Sequence, residues 1–373
     1  MSSMSSIVPR SSTVGNRRVA WPVLLWPAPD QAAWGRARTA GDFLSDDGAA
    51  ADWRDATIRS AIGEYGRFLA FLHDRGLLDP EQGPAERATP ATLRVYVTFL
   101  QQGRSSTTVA SYVGVLGMVI QAMVPEQNWT WLWTMHAKLL RRSRPTRDKR
   151  SKLVPSRELL RLGMDLMDAA GSAIDTPPMQ AALAFRDGLM IALLALRPLR
   201  QKNFIGIEIG RHLVRDGAGY ALCFTAGEAK GKRPLEFPYP EVLLAALDTY
   251  LTVFRPTLVS LRDTRGASRQ GALPDAAGRL WVTQYGTPLS PFAQEKAIKK
   301  HTAARFGHAL NPHLFRDCAA SSIATEDPEH VRIIALILGH ASFKTAERYY
   351  IQAKAHIATR SHQASVLALR AAR

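Results

Sequence analysis

Apolar residues recur every three or four positions from Asp52 onward, and that period predicts helices through most of the first 140 residues. In TIRSAIGEYGRFLAFLHDRG, Ile58, Ile62, Tyr65, Phe68, Leu69 and Leu72 form one stripe to be buried, and Gly76 closes the helix. A second helix is predicted after Thr89-Pro90, with threonine as cap and proline in the first turn. A third opens at the Ser and Thr residues of SSTTVASYVGVLGMVIQAM, and WTWLWTMHAKLLRR supplies a fourth. Trp129, Trp131 and Trp133 are expected in the core, because a small helical bundle needs bulky anchors. Ahead of these, residues 1–50 are rich in Ser, Pro and Gly and then carry Trp21, Trp26 and Trp34. That composition predicts a partly flexible arm that packs locally.

The pattern breaks at RRSRPTRDKRSK, Arg141 to Lys152, where seven basic residues stand against one acidic. Residues 141–154 are therefore expected to link two domains, either as a solvated spacer or as a segment that tracks phosphates. Arg141, Arg142, Arg144, Arg147, Lys149 and Arg150 are its candidate DNA contacts, with Lys232 further on. Beyond it, Pro155-Ser156-Arg157-Glu158 starts a helix, and FRDGLMIALLALRPLR is an apolar one. YALCFTAG and RPLEFPY read as short strands separated by the turn-prone EAKGK. YPEVLLAALDTYLTVF is helical, LWVTQYGTPLS reads as a strand and turn, and the chain from Pro291 is mostly helical. The fold class expected is mainly α, a helical domain followed by a larger, mostly helical one with a small antiparallel sheet.

Composition narrows the partners. With 46% hydrophobic and 21% charged residues, the 373-residue chain can bury a core of its own. A formal charge of +16 favours polyanions, nucleic acid first and an anionic membrane second, although a basic composition also follows from a GC-rich genome. Cys223 and Cys318 lie far apart without metal-ligand spacing, which argues against a disulfide framework or a zinc site and fits a reducing cytoplasm. No stretch approaches the ~20 apolar residues of a membrane span, so no membrane segment is expected. The run after Arg17-Arg18 is short and broken by Pro22 and Pro27, and reads as a docking arm rather than an export peptide.

Polar residues that interrupt the apolar helices supply the chemistry. His313 and Arg316 are three apart and share a helix face; Arg197 and Arg200 sit where an apolar helix ends beside Pro198. Lys230 and Lys232 fall in a turn between strands, and Gly339-His340 precedes Tyr349 and Tyr350. Singly, each has an ordinary structural explanation. Together they offer cations, imidazoles and a phenol, a set suited to a phosphodiester. Arginines bind its growing negative charge bidentately, a phenolate attacks phosphorus, and a lysine or histidine protonates the departing oxygen.

The order of these segments resembles the tyrosine recombinase (phage integrase) family: an arginine, a hairpin lysine, His-x-x-Arg, Leu-Gly-His, and a tyrosine nine residues on. LRQKNFIGI is similar to the first box and makes Arg200 its arginine; Lys230 matches the hairpin lysine better than Lys232. HLFRDCAASSIA gives His313 and Arg316, while LGHASFKTAERYY gives His340 and the nucleophile Tyr349. The first box departs from the family in carrying Asn203 where an acidic residue is usual.

The resemblance implies a DNA breaking-rejoining fold, with a core-binding, SAM-like domain at 51–140, a catalytic domain at 155–360 and a tail at 361–373. It implies cleavage through a 3′-phosphotyrosine with no cofactor and no metal, on double-stranded DNA, by a tetramer acting on two sites. Accessory recombinases or directionality factors fit as further partners, and a mobile-element role and a cytoplasmic, nucleoid-associated location are expected. The apolar Val366, Leu367 and Leu369 of the tail either dock on a neighbouring protomer or pack on their own domain. A type IB-like topoisomerase and a catalytically inactive DNA-binding regulator are the alternatives.

Overall fold

Capping chemistry sets the helix boundaries of the first half. In the computed structural model, which describes residues 20–144, 148–172, 175–229, 233–265, 278–338 and 347–371, two units separate, Met1–Asp148 and Lys149–Arg373. The first holds α1 (Ala28–Arg38), α2 (Asp55–Asp74), α3 (Pro84–Arg87), α4 (Pro90–Gln101), α5 (Ser106–Met123) and α6 (Thr130–Arg142). Thr89 Oγ1 accepts from the backbone of Thr92 to start α4, and Ser105 Oγ does the same for α5 from Thr108. Gly76, at φ 65°, ends α2, with Leu77 N donating to Leu72 O and Gly76 N to His73 O. The basic run begins inside α6, whose last turn contains Arg141 and Arg142.

Of the segment expected as a partly flexible arm that packs locally, residues 20–50 are described, and their buried side chains pack into this unit's core. Trp26 and Trp34 are buried beside Tyr65, and the Trp26 indole donates to Trp21 O at 3.0 Å. Gly66 lets that strand of chain approach α2, since a Cβ there would fall 2.1 Å from Trp21 O. Asp30 completes the attachment. Fully buried, it accepts from Tyr65 Oη and from Arg87 Nη1, while Arg87 Nη2 donates to Asp79 O at 2.8 Å. Trp129 is buried as expected, but Trp131 and Trp133 only flank the core, and Leu132 fills it between them.

The second unit contains α7 (Ser156–Ser172), α8 (Pro178–Leu196), α9 (Gln201–Ile205), β1 (Leu213–Asp216), β2 (Gly219–Phe224) and β3 (Leu235–Pro238). Then follow α10 (Leu244–Thr249), a π turn at Tyr250–Phe254, α11 (Arg255–Arg265), α12 (Pro291–Phe306), α13 (Leu314–Glu326), α14 (Ile333–Ile337) and α15 (Glu347–Ala371). The three strands form one antiparallel sheet in the order β1-β2-β3, with Val214 opposite Ala221 and Leu222 opposite Phe237. Helix α8 is apolar on nearly every side and forms the centre of this core. It meets α7 at Gly163 and Gly188, where a Cβ on either would lie 2.7 Å from the other's carbonyl oxygen.

Two expectations are corrected here. LWVTQYGTPLS forms an isolated bridge, Val282 with Pro288, rather than a sheet strand, and the sheet's remaining strand is Leu213–Asp216. Three helical runs, Ser106–Met123, Pro178–Leu196 and Glu241–Ser260, are long and apolar enough by length and composition to cross a membrane. The first two owe that character to burial, because a helix surrounded by core needs apolar residues all round.

Removing one partner of a buried ion pair strands the other charge. Asp30→Ala should therefore lower the unfolding free energy of the full chain by about 3–5 kcal/mol. The exposed pair Glu295 and Lys299, 2.5 Å apart, provides the contrast, and Glu295→Ala should cost less than about 1 kcal/mol. Urea unfolding followed by tryptophan fluorescence and by circular dichroism measures both. Equal losses would mean that the Asp30 cluster does not hold the N-terminal segment in place.

Candidate active site

Arg200 stands at the head of α9, immediately after α8 gives way at Arg197 and Pro198. Its short helix is fixed from below. Phe204 stacks on Trp281 at 5.0 Å and its carbonyl accepts from the Trp281 indole at 2.9 Å. Arg279 Nη1 donates to Gly206 O at 3.0 Å, and Gln201 Nε2 donates to Pro291 O at 3.0 Å. Arg200 itself is half-buried, and burial lowers its pKa from the ordinary arginine value.

His313 caps α13, and Arg316 lies one turn in, 7% exposed. The Arg316 guanidinium donates from Nη1 to Pro198 O at 2.6 Å and from Nη2 to Leu338 O at 2.5 Å. One side chain thus ties α13 to the chain two residues before Arg200 and two residues before His340. The opening of the unit is fastened to the same helix, with Val154 N donating to Cys318 Sγ at 3.4 Å and Ser156 N to Ser322 Oγ at 2.9 Å. The His313 ring reaches solvent on one side, yet the protein around it holds its pKa below the ordinary histidine value. Desolvation is the main cause, with Arg316, Lys149 and Arg200 adding to it and Asp317 opposing it. Arg200, His313 and Arg316 are therefore close enough to share one field.

Lys230, Lys232 and His340 lie outside the described residues, as does Arg147; Tyr349 is the third residue of α15, its side chain likewise outside them. Around Lys230 the foot of the β2–β3 turn is described. Glu208 N donates to His212 Nδ1 at 3.0 Å, so the ring carries its proton on Nε2 and donates to Glu228 Oε1 at 3.0 Å. Glu228 Oε2 accepts from Thr225 N and Oγ1 at 3.0 and 2.9 Å, and Arg211 contacts Oε1. The Thr225 backbone N–H and His212 hold the Glu228 carboxyl down at about 2. A cavity of about 170 Å³ between this foot and α9 is lined by Lys202, Asn203, Glu208, His212, Glu228 and Arg279.

Of the basic run, Arg141, Arg142 and Arg144 are exposed at the end of α6, Arg150 begins a short 3-10 turn, and Lys149 lies 3.5 Å from Asp317. Asp317, Glu228, His212 and Arg279 are contacts that sequence inspection missed. Only Asp317 left a local signal, four residues after His313 on one helix face. Among the described residues no group of three or more His, Cys, Asp or Glu could hold a metal ion.

The mainly helical architecture with a three-stranded antiparallel sheet has counterparts among solved structures. Over 79% of this chain and 76% of the other, it superposes with TM-score 0.51 and 14% identity on the crystal structure of XerH site-specific recombinase bound to difH substrate. No protein-family model matches the chain. In sequence it is 25% identical over 185 residues to tyrosine recombinase XerD of Staphylococcus saprophyticus, covering 49% of this chain and 56% of that one. It is 24% identical over 192 residues to XerD of Staphylococcus aureus, covering 51% and 58%. The chain thus matches somewhat more than half the length of these curated relatives.

The Glu228 carboxyl is lowered from 4.5 to about 2 by contacts of the folded state. Its stabilising contribution is therefore fully present above about pH 4.5 and is lost as pH falls toward 2. The stability gap between the wild-type chain and Glu228→Gln should stay level from pH 7 to 5.5 and narrow below 4.5. Urea midpoints at successive pH values check it; a gap that widens on acidification would contradict the assignment.

Proposed function

We propose that this protein is a site-specific DNA recombinase that cleaves and rejoins duplex DNA through a 3′-phosphotyrosine. The observation that carries this reading is the Arg316 guanidinium, which joins the segments leading to Arg200 and to His340 around one helix. Arg200 and Arg316 hold the non-bridging oxygens of the scissile phosphate, where charge grows in the transition state. The Tyr349 oxygen attacks phosphorus, the bond to the 5′ oxygen breaks, and Lys230 gives that oxygen its proton. His313 and His340 donate hydrogen bonds to the phosphate. The phosphodiester's energy is kept in the tyrosyl ester, so the freed 5′-hydroxyl of a partner strand reverses the step without a nucleotide cofactor.

The basic residues at the end of α6 and ahead of α7 support duplex binding along the backbone. Assembly as a tetramer on two sites, and a mobile-element role in the cytoplasm, belong to the same proposal. The exposed Ile351, Ile357, Val366 and Leu367 of α15 offer apolar surface for contact between protomers.

The test uses nicked suicide duplexes with a randomised segment, from which the cleaved sequence is recovered as an SDS-stable protein adduct. Wild type should form the adduct. Tyr349→Phe should abolish it while keeping DNA affinity within about threefold, and Arg316→Ala should slow it at least ~100-fold. An adduct that persists in Tyr349→Phe would move the nucleophile to Tyr350 or another group. Failure of wild type to form any adduct would overturn the enzymatic reading.

A further inference from the structure

Between Ala37 and Ala50, both buried in the core of the first unit, the chain leaves that core for one exposed turn. Gly41 and Gly48 stand at its two feet, where a side chain has no room. A Cβ on Gly41 would fall 2.2 Å from Ser45 O, and one on Gly48 would fall 2.4 Å from Arg36 O. Gly48 N donates to Thr39 O at 2.9 Å and Ala50 N to Ala37 O at 2.7 Å, so the returning chain is pinned to the end of α1. Across the tip, Ser45 Oγ donates to Asp42 Oδ1 at 2.9 Å and accepts from Asp42 N at 3.1 Å. Leu44 N donates to the same Oδ1 at 2.8 Å, and Gly41 N to Asp47 Oδ1 at 2.7 Å.

This closed turn presents two adjacent apolar side chains to water. Phe43 is 94% exposed and Leu44 84%. A single exposed apolar residue needs no explanation, but a hydrogen-bonded turn that holds two of them outward does. Because the turn is already ordered, a partner that covers the pair loses little to backbone entropy.

Charge selects the partner. From Thr39 to Trp53 there is no lysine or arginine, while Asp42, Asp46, Asp47 and Asp52 fall in that stretch. The tip is thus acidic on a chain of net +16. A phosphate backbone would be repelled by it, whereas a second copy of the same basic chain is attracted. Helix α15 of that copy carries the complementary surface. Val366 and Leu367, 50% and 62% exposed, are adjacent apolar side chains, and the exposed Arg370 follows within one turn.

We propose that the Phe43–Leu44 turn of one protomer docks on Val366 and Leu367 of α15 in a second copy, with Asp46 and Asp47 facing Arg370. Two side chains cover far less than the roughly 1,600 Å² of a standard interface, so the contact is weak in dilute solution and joins chains already brought together. What it assembles rests on the recombinase reading above, in which copies meet on DNA, but the contact itself needs none.

The test is sedimentation velocity of the full chain without DNA at low salt, with photo-crosslinking of the Phe43→p-benzoylphenylalanine variant beside it. Wild type should associate with a dissociation constant on the order of 10–100 µM, and added salt should weaken it. Phe43→Ser with Leu44→Ser should weaken association at least ~10-fold, as should Val366→Ser with Leu367→Ser. Asp46→Lys with Asp47→Lys should weaken it too, and adding Arg370→Glu should recover part of the loss. All of these side chains are exposed, so urea midpoints near that of wild type separate a lost contact from a folding defect. Crosslinked dimers should join position 43 to a peptide of α15. The proposal is overturned by a wild-type chain that stays monomeric about tenfold above that concentration range, by association that the serines leave unchanged, or by crosslinks confined within one chain. Crosslinks to another part of the second copy overturn the pairing with α15. Association through the turn in a protein that forms no adduct would sink the recombinase reading alone. Adduct formation with association indifferent to Phe43 and Leu44 would sink this contact alone.

Discussion

Burying a guanidinium is costly unless its hydrogens find acceptors, and Arg316 meets that demand with two backbone carbonyls. The geometry has a consequence for the whole second unit. Pro198 has no N–H and ends the influence of α8, so its carbonyl is available to a side chain from elsewhere. Leu338 O lies at the end of a small satellite core of Ala320, Ala324, Val331 and Ile334. A single planar fork spans both. A lysine could not, because its ammonium is a point donor on a flexible stem. The residue proposed to hold the phosphate is therefore also the residue that brings the first, second and third boxes together.

The segment at Arg200 is held by further contacts of the same kind. Arg200 rests on a helix of five residues, too short to persist alone, and relies on the Phe204–Trp281 stack and on Arg279 for its direction. Trp281 is wholly buried, and the segment containing it is braced by Arg186, whose Nη1 donates to Val282 O at 2.6 Å. Asp187 holds that arginine and also meets His301 of α12 at 3.1 Å. A chain of polar contacts thus runs from the core helix α8 outward to the helix that carries Arg200. Small changes of volume at Trp281 would reach the site through it.

Legibility in the sequence followed the range of the interactions. The boundaries of α2, α4 and α5 are set within a few residues of themselves, by Gly76, by Thr89 and Pro90, and by Ser105, so they could be read directly. Helix α1 was not, because Pro22 and Pro27 and three tryptophans suggest an extended arm, and only Asp30, Tyr65 and Arg87 together reveal its burial. Strand β1 has four residues and depends on β2 for its existence. The sequence offers an ordered set of residue types for the proposed site, while the contacts that hold Arg200 and Arg316 were not legible. Pairs such as Arg316 with Pro198, or Lys149 with Asp317, join positions more than 100 residues apart, and no local pattern encodes them. The choice between Tyr349 and Tyr350 has the same character. On a helix they diverge by about 100°, and the difference is set by what α15 faces rather than by either residue's neighbours.

Charge gives the second unit its remaining constraint. A chain of net +16 that places Arg200, Arg316 and Lys149 within one field around His313 repels itself at the point proposed to seat a phosphate. Burial disfavours the charged forms as well, lowering the pKa of Arg200 by itself and that of His313 together with the neighbouring cations. Asp317 places one negative charge among these groups, in the first turn of α13, where the helix dipole also favours an acid. A permanent counter-ion strong enough to neutralise all three of Arg200, Arg316 and Lys149 would compete with the phosphate. One carboxylate, 3.5 Å from the Lys149 ammonium, relieves part of the repulsion and leaves a net positive set. The acid at position 317 is thus a compromise between easing that repulsion and keeping the positive charge that a phosphate would meet.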